Sequence, residues 1–375
     1  MDLRFQEQVL SRRQLHFIDN KVYFRCRSTE LTEACLDPYR EYYSNLGVSI
    51  ASVLSEAVHM TQPVADYREM LVHYSRRALT HEGDALRAMS GITRRFAVAM
   101  RCRFLEGLPT AVFDVFVLFR CSLGRRRPSF PSYSWAGWRG ALDFELWDAH
   151  IDIDSWLLYR TWIIWYERSP SGLVISSVWN PEANEALPYE ERSHVGYRRR
   201  HPFLPRQGLA LLLPSHLTTT KLRTAPTERV QFARRLPTYS ILQFWTLAVY
   251  FTIQNIDVFD GVAAIADLYH ARCGTIWLDG FEEETTFFRD MGGPPITLEF
   301  ILLSEGASEP GRTSSFKPTK HHPPATDRNY QKRFNVLLLE WRDGIAERRG
   351  VGWIHQPAIE SSLSPGPVWK EIFLA

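Results

Sequence analysis

The stretch Phe130-Pro-Ser-Tyr-Ser-Trp-Ala-Gly-Trp138 places two tryptophans, a tyrosine and a phenylalanine among small residues. Aromatic side chains bury large apolar areas, and buried indole N–H and phenol O–H groups need hydrogen-bond partners. Gly137 allows a neighbouring backbone to approach more closely than a Cβ atom would permit. We interpret this aromatic stretch as a packing wedge between a helical part and a β-rich part of the chain.

The same residues allow an alternative interpretation. Tyr133, Trp135 and Trp138 are also candidates to line a groove for a ligand or an interface with a partner, because their rings can stack on a peptide, a sugar or a nucleotide. A dense aromatic patch beside glycine is more often buried packing. We therefore favour the wedge and keep the three rings as ligand or interface candidates.

The residue pattern differs on the two sides of this stretch. Helical spacing joins the apolar residues of segments 67–74 and 85–92, where apolar side chains recur every three to four positions. Beyond residue 141, β-branched and aromatic runs alternate with turn residues such as Ser169-Pro-Ser-Gly172. Strands are predicted at residues 162–166, 173–179, 241–253, 274–278, 298–303, 334–341 and 369–374.

These patterns predict an α+β fold, in which a helical N-terminal part packs on a β-rich C-terminal domain of the sandwich or barrel-like type. Residues 1–30 are predicted to form the end of a helix followed by strands. Residues 31–140 are predicted to be mainly helical and residues 141–375 to be β-rich. Segments near 180–206 and 307–330 lack apolar periodicity and are predicted to be mobile loops.

Composition narrows the class of protein. Hydrophobic residues make up 45% and charged residues 23% of the chain, which favours a packed core over disorder. The formal net charge of +2 gives no strong signal for nucleic acid. The five cysteines lack metal-ligand spacing, so no metal site is predicted. No cofactor is predicted either. Without a signal peptide or a membrane span in the sequence, we expect a cytoplasmic protein.

Several spaced motifs together resemble one family. They are Phe5-Gln-Glu-Gln-Val-Leu-Ser-Arg-Arg13, Tyr74-Ser-Arg-Arg-Ala-Leu-Thr80, the aromatic stretch 130–138 and Gly352-Trp-Ile354. The chain is similar to the C-terminal region of fungal heterokaryon-incompatibility proteins, beginning at the last motif of their HET domain. The earlier HET motifs are absent from the sequence, so the resemblance implies that residues 1–30 are the remnant of the end of a HET domain and that most of this domain is missing. The chain is then expected to be truncated, a degenerate copy or a separately made module.

The resemblance implies a role in allorecognition and programmed cell death, carried out as a non-enzymatic interaction or regulatory module with a protein partner. It also implies an alternative, since HET domains resemble TIR domains, whose enzymatic members cleave NAD with a glutamate. Glu7 would then be the catalytic carboxylate, with Arg12 beside the nucleotide. We favour a helix cap or a salt bridge as the role of Glu7. An inactive truncated copy is the remaining alternative.

Charged clusters elsewhere have simpler interpretations. Arg125-Arg-Arg127 and Arg198-Arg-Arg200 are predicted to be solvated charge runs, because no aromatic residues interleave them as in a face that binds single strands. His321-His322 lies in a segment rich in proline and lysine without further ligands at metal spacing. Neither feature predicts a site.

Overall fold

The strands and helices are defined over most, but not all, of the chain. The computed structural model describes residues 10–11, 13–18, 21–26, 30–32, 63–144, 153, 156–157, 160–179, 224–233, 236–257, 260–280, 296–306 and 333–375. Two units follow one another, Met1–Phe104 and Leu105–Ala375. The predicted divisions after residues 30 and 140 stay predictions, and the predicted loops near 180–206 and 307–330 lie outside the described residues.

In its described residues, the first unit combines a small sheet with two α-helices of ten or more residues. Its described elements are β1 (Arg13–Ile18), β2 (Lys21–Cys26), β3 (Glu30–Thr32), α1 (Pro63–Ser75), α2 (Ser90–Ala99) and the 3₁₀ helices Glu82–Asp84 and Arg87–Met89. The strands pair antiparallel in the order β1-β2-β3. Helical spacing in the sequence correctly predicts α1, whose buried face includes Tyr67, Leu71 and Tyr74.

Tyr67 holds the two helices of this unit together. Its ring lies 5.1 Å from the ring of Phe96 on α2 and 5.1 Å from that of Phe104, both edge to face. Edge-to-face pairs add stability beyond their buried area. On the same helix, the Tyr74 hydroxyl donates to the carbonyl oxygen of Ala85 at 3.0 Å, so the polar end of this buried ring is also satisfied.

The second unit is mainly β-strand. A two-residue strand, β4 (Phe104–Leu105), stands at the division between the units. The later elements are β5 (Leu108–Pro109), α3 (Phe113–Phe116), β6 (Arg120–Arg126), β7 (Trp138–Asp143), β8 (Tyr166–Arg168), β9 (Ile175–Ser177), β10 (Ile241–Asp257), β11 (Val262–Ala266), β12 (Arg272–Leu278), β13 (Leu298–Gly306), β14 (Arg333–Arg342), β15 (Ile345–His355), β16 (Val368–Leu374) and the 3₁₀ helices Thr110–Val112, Trp135–Gly137 and Gln356–Ser361.

Nine of these strands form one sheet, in the order β11-β12-β15-β14-β13-β10-β8-β9, with β16 beside β10 and β15. The 17-residue strand β10 also pairs with β11, so the hydrogen-bonded order returns to its own starting strand. All these pairings are antiparallel except the contact of β15 with β16. Strand β10 therefore contacts four other strands of the sheet, β8, β11, β13 and β16.

Apolar residues fill both faces of the central strands. Every residue from Phe334 to Leu339 is buried, which explains why this part of β14 reads as a nearly continuous apolar run. Glycine permits close backbone contact between β12 and β15. A Cβ atom at Gly352 would lie 2.1 Å from the carbonyl oxygen of Thr275, and one at Gly274 would lie 2.2 Å from that of Trp353. Only glycine fits these two positions without a backbone shift.

The predicted α+β fold with a helical N-terminal part is wrong. Strand is the dominant structure, and residues 104–140, which were predicted to be mainly helical, contain β4, β5, β6 and the start of β7, together with the four-residue helix α3 and two three-residue 3₁₀ helices. Local periodicity identifies helices where one face is solvated, but the apolar run that follows residue 104 is buried on all sides. Such a run does not distinguish a helix from short strands.

Several local predictions in the second unit are confirmed. Predicted strands 241–253, 274–278, 298–303, 334–341 and 369–374 correspond to β10, β12, β13, β14 and β16. The predicted turn around Ser169–Gly172 joins β8 to β9. Strand β9 lies within the predicted strand 173–179, whereas β8 shares only Tyr166 with the predicted strand 162–166, so the prediction is wrong for residues 162–165. In the part of the chain that the structure describes, no helix is long and apolar enough to cross a membrane.

Candidate functional site

The aromatic stretch lies inside the second unit, between β6 and the start of β7. Tyr133, Trp135 and Trp138 are each at most 2% exposed. The Tyr133 hydroxyl donates to the carbonyl oxygen of Ser240 at 2.7 Å. The indole N–H groups donate to backbone carbonyls, that of Trp135 to Gly107 at 2.9 Å and that of Trp138 to Ser132 at 2.8 Å. All three ligand or interface candidates are therefore internal, and their polar atoms are satisfied by the protein's own backbone.

Two arginines that precede the stretch hold its backbone in place. Arg126 Nη1 donates to the carbonyl oxygens of Arg127 at 2.6 Å and Phe130 at 2.7 Å. Arg127 Nη1 donates to the carbonyl oxygen of Trp138 at 2.5 Å. Burial lowers the pKa of Arg126 from its ordinary value. The prediction of a solvated run at 125–127 is therefore wrong for Arg126 and Arg127. Their guanidinium groups donate hydrogen bonds to backbone carbonyl oxygens of the stretch instead of contacting water.

A buried ion pair joins the stretch to the sheet. Arg348 on β15 donates through Nε to Asp279 Oδ2 at 2.5 Å and through Nη2 to Oδ1 at 3.2 Å, and both side chains are at most 1% exposed. Arg348 Nη1 also donates to the carbonyl oxygen of Val117 at 2.8 Å. Its guanidinium lies 3.8 Å from the centroid of the Phe119 ring. The Arg348 backbone N–H donates to Ser132 Oγ at 2.9 Å, which brings the ion pair against the aromatic stretch.

Burial raises the pKa of Asp279, while the charge and the hydrogen bonds of Arg348 act in the opposite direction. Arg348 thus offsets part of the cost of removing the Asp279 carboxyl group from water. Both groups are enclosed, so we assign the pair a structural role.

The other residues named from the sequence lie outside the described residues. These are Glu7, Arg12, the arginines 198–200 and the histidines 321–322. The interpretations of Glu7 as a catalytic carboxylate, a cap or an ion-pair partner stay predictions, as does that of Arg12. Among the described residues, no group of three or more His, Cys, Asp or Glu side chains is placed to hold a metal ion.

A partly exposed polar cluster on the sheet is a first candidate for a functional site. Lys370 Nζ on β16 donates to both carboxylate oxygens of Glu299 on β13, at 2.8 and 2.9 Å. The same ammonium lies 3.9 Å from the centroid of the Trp341 ring. The Tyr250 hydroxyl donates to Glu299 Oε2 at 3.4 Å. The cluster therefore holds an ammonium group between a carboxylate and an indole face, an arrangement typical of cation recognition.

The cation in this polar cluster is the side chain of Lys370 and not a ligand. Lys370 connects β16 with β13 across β10, and Trp341 adds β14 to the contact. Burial raises the pKa of Tyr250 to about 12, and the charge of Glu299 together with its hydrogen bond adds to the rise. Tyr250 thus keeps its proton at neutral pH and cannot act as a base there. The cluster consequently fits a role in holding four strands together better than one in catalysis.

Sequence reasoning missed this cluster, although a signal was present. Glu299 and Lys370 each stand among mainly apolar residues of a strand, although β13 also contains Glu305 and β16 also contains Glu371. A charged residue within such a strand is rarely buried unless it is paired, so each of them predicts an ion-pair partner. The sequence does not say which partner, because the two residues are brought together only by the strand order.

We expect Tyr250 to lose its proton in the folded chain at a pH of about 12. Glu299→Gln should lower the pKa of Tyr250 towards its ordinary value, because a charge and an acceptor are removed. Since the folded-state pKa exceeds the unfolded-state value of about 10, stability should be lost as the pH rises between these values. The pKa of Tyr250 is measured by following phenolate absorbance against pH in the wild type, Tyr250→Phe and Glu299→Gln. An unchanged late titration in Tyr250→Phe would contradict the assignment.

A second candidate is the tip of the β8–β9 hairpin. Leu173 is 87% exposed and Val174 is 60% exposed, and Leu173 has the largest exposed fraction of any large apolar side chain in the described residues. Such side chains on a protein surface are ordinary when they are scattered singly, whereas neighbouring ones indicate a contact surface. These two are adjacent, and within the described part of the chain they lie at the end of the large sheet.

The turn that presents them, residues 169–174, is held firmly. Ser169 N donates to the carbonyl oxygen of Val174 at 2.9 Å, and Gly172 N donates to that of Ser169 at 2.8 Å. The buried guanidinium of Arg168 donates through Nη1 to the carbonyl oxygen of Gly172 at 2.6 Å and through Nε to Gln243 Oε1 on β10 at 3.0 Å. The exposed apolar side chains are therefore displayed on a fixed backbone.

Comparison with known proteins gave no relative. No protein-family model, curated protein or solved structure matches the chain. The geometry of the described residues and the motif resemblance are accordingly the two sources for a functional proposal.

Proposed function

We propose that the chain is a non-enzymatic interaction or regulatory module that acts through a protein partner in the cytoplasm. The observation that carries this proposal is the hairpin tip, where Leu173 and Val174 are displayed to solvent on a turn fixed by Arg168. Burial of such side chains is a main source of affinity between proteins, and a fixed backbone reduces the entropy lost on binding. Recognition of a partner is therefore the function that suits this surface.

The motif resemblance supplies the biological setting of the proposal. The aromatic stretch is similar to one that follows the HET domain in fungal incompatibility proteins, and its rings are internal. Its role in the proposal is to build the framework of the second unit, while other surfaces contact the partner. The module would then act in allorecognition, in the pathway that leads from fusion of incompatible cells to programmed cell death.

A measurement of NAD turnover tests the non-enzymatic part of this proposal. Purified wild type, Glu7→Ala and the control Glu228→Ala, which removes an exposed carboxylate, are incubated with NAD and the nicotinamide released is quantified. We expect the three proteins to release it at the same background rate. Turnover by the wild type that is lost only in Glu7→Ala would overturn the proposal in favour of a TIR-like enzyme.

Expression in a fungal host that carries an intact HET-domain protein tests the interaction part. We expect the chain to change the frequency of cell death after fusion of incompatible cells. The double variant Leu173→Ser, Val174→Ser should restore the frequency seen without the chain, at equal protein abundance. Equal cell death with the wild type, the double variant and the empty host would argue for an inactive copy.

A further inference from the structure

One short segment of the second unit, residues 224–233, is held to the sheet by side chains rather than by strand pairing. The structure describes all ten of its residues, which form neither a helix nor a strand, and seven of them are exposed. We call this segment the strap. Its Phe232 ring lies 5.4 Å from that of Phe373 on β16, edge to face, and 6.0 Å from the guanidinium carbon of Arg168 on β8. The strap therefore lies on the sheet without a place in its strand order.

The surface beneath the strap binds its backbone. Arg168 donates through Nη1 to the carbonyl oxygen of Glu228 at 3.0 Å and through Nη2 to that of Thr227 at 2.5 Å. Gln243 Nε2 on β10 donates to the same carbonyl oxygen of Thr227 at 3.0 Å. Every residue has a backbone carbonyl group, so another extended segment can accept the same bonds whatever its sequence.

Glu371 on β16 adds selectivity for a hydroxyl residue. Its Oε1 accepts from Thr227 N at 2.8 Å, and its Oε2 accepts from Thr227 Oγ1 at 2.5 Å. These two oxygens match a residue that carries a hydroxyl close to its backbone N–H, namely threonine or serine. Phe232, five positions further along, supplies the aromatic contact. The surface thus recognises a hydroxyl residue followed five positions later by an aromatic residue.

The side chains of this surface also hold one another in place without the strap. Arg168 Nε donates to Gln243 Oε1 at 3.0 Å, and Gln243 Nε2 donates to Glu371 Oε1 at 2.7 Å. Arg168 and Gln243 are at most 1% exposed while the strap covers them. Departure of the strap would return a buried guanidinium to water, which favours opening. The arrangement is that of a preorganised binding surface that the chain itself occupies.

We propose that the strap is an internal ligand, and that the surface of Arg168, Gln243 and Glu371 binds an extended segment of a protein partner in its place. The partner segment carries threonine or serine at the position of Thr227 and an aromatic residue five positions later. The inference rests on the proposed function and specifies its partner and its regulation, because the strap must leave before the partner binds. Local opening of this kind is common in segments with few buried contacts.

Binding of fluorescein-labelled peptides to the full chain, measured by fluorescence anisotropy, tests the inference. TAPTERVQFA copies the strap, TAPAERVQAA lacks its hydroxyl and its ring, and SAATQAQAFS keeps only these two groups in an unrelated sequence. The variant Thr227→Ala, Phe232→Ala weakens the strap and leaves the surface intact. It should bind TAPTERVQFA at least about tenfold more tightly than the wild type, whose own strap competes at an effective concentration of about 1 mM.

The double variant should also distinguish the peptides. SAATQAQAFS should bind it within about tenfold of TAPTERVQFA, and TAPAERVQAA should bind at least about tenfold more weakly, since it lacks the groups that Glu371 and Phe373 contact. Adding Glu371→Gln to the double variant should weaken binding of TAPTERVQFA about tenfold. Arg229→Ala, which changes an exposed side chain of the strap, is the matched control and should behave like the wild type.

A measurement on the wild type does not depend on the folding of any variant. The Thr227 N–H donates to Glu371 in the closed strap, so its amide hydrogen exchange reports opening. Millimolar TAPTERVQFA should accelerate this exchange because it displaces the strap. The same concentration of TAPAERVQAA should leave it unchanged.

Four results would overturn the inference. They are equal binding of TAPTERVQFA to the wild type and the double variant, equal binding of TAPTERVQFA and TAPAERVQAA, unchanged exchange of the Thr227 N–H with TAPTERVQFA, and failure of SAATQAQAFS to bind. Failure of the proposed function gives a different result, namely NAD turnover that depends on Glu7. The two failures are therefore distinguishable.

Discussion

Replacing Arg348 by methionine is expected to lower the free energy of unfolding by about 3–5 kcal/mol. The change leaves the Asp279 carboxylate enclosed without its counter-charge, and it removes a donor from the carbonyl oxygen of Val117. Methionine keeps the unbranched apolar part of the arginine side chain, so most of the loss comes from the carboxyl group left without its partner. Urea denaturation of the full chain, followed by tryptophan fluorescence, measures the difference.

The pH dependence of this loss has a defined sign. Burial raises the pKa of Asp279 in the folded chain, and without Arg348 nothing of comparable strength opposes the rise. A carboxyl group whose folded-state pKa exceeds its unfolded-state value contributes stability that is present at low pH and lost as the pH rises. The loss caused by Arg348→Met should therefore be smaller near pH ~4, the ordinary range of an aspartate, than near pH ~7.

Two further proteins serve as controls for this prediction. Arg342→Met removes an exposed arginine that pairs with Glu340, and it should lower the free energy of unfolding by less than about 1 kcal/mol. The double variant Arg348→Met, Asp279→Leu removes both buried charges and should be more stable than Arg348→Met alone. If the double variant is the less stable of the two, the ion pair is not the source of the loss.

Replacing Trp135 by alanine is expected to lower the free energy of unfolding by about 3–5 kcal/mol. The indole is 2% exposed, and its N–H donates to the carbonyl oxygen of Gly107 at 2.9 Å. Trp135→Phe keeps an aromatic ring and loses this hydrogen bond, so a smaller loss of about 1–3 kcal/mol is expected. The same urea denaturation measures both.

Leu173→Ala is the matched control for Trp135→Ala, because it truncates an apolar side chain that is 87% exposed. Its effect should stay within about 0.5 kcal/mol. An effect of Trp135→Ala as small as that of the control would mean that the ring is not packed. The interpretation of the aromatic stretch as the lining of a groove would then take first place.

Most strands of the large sheet were predictable because the residue types within each short segment are enough to identify it as a strand or a turn. Runs such as Phe334–Leu339 have the length and β-branched or leucine-rich composition of buried strands, and Asp343-Gly344 has the composition of a tight turn. Both Asp343 and Gly344 adopt positive φ, at 53° and 80°, as such a turn requires. Local chemistry was less informative between residues 104 and 143, where burial on all sides hides any periodicity.

The candidate sites were less predictable than the strands. Tyr133, Trp135 and Trp138 were identified as an unusual group, yet the sequence left open whether they face a ligand or the interior. Arg126 and Arg127 were predicted to be solvated, since consecutive arginines usually are, and only the folded backbone shows which carbonyls they bind. The exposure of Leu173 likewise depends on where the sheet ends, which no local pattern reports.

The sequence by itself determined the aromatic stretch, the turn at 169–172 and most strands of the large sheet, because residue type and spacing act over a few neighbouring positions. Only the tertiary structure decided that Arg348 meets Asp279, that Lys370 meets Glu299 and that β9 is the last strand of the sheet among the described residues. These pairings join residues 69 and 71 positions apart. The physical reason is that strand order is set by burial and hydrogen bonding summed over the whole unit, to which each local segment contributes only a part.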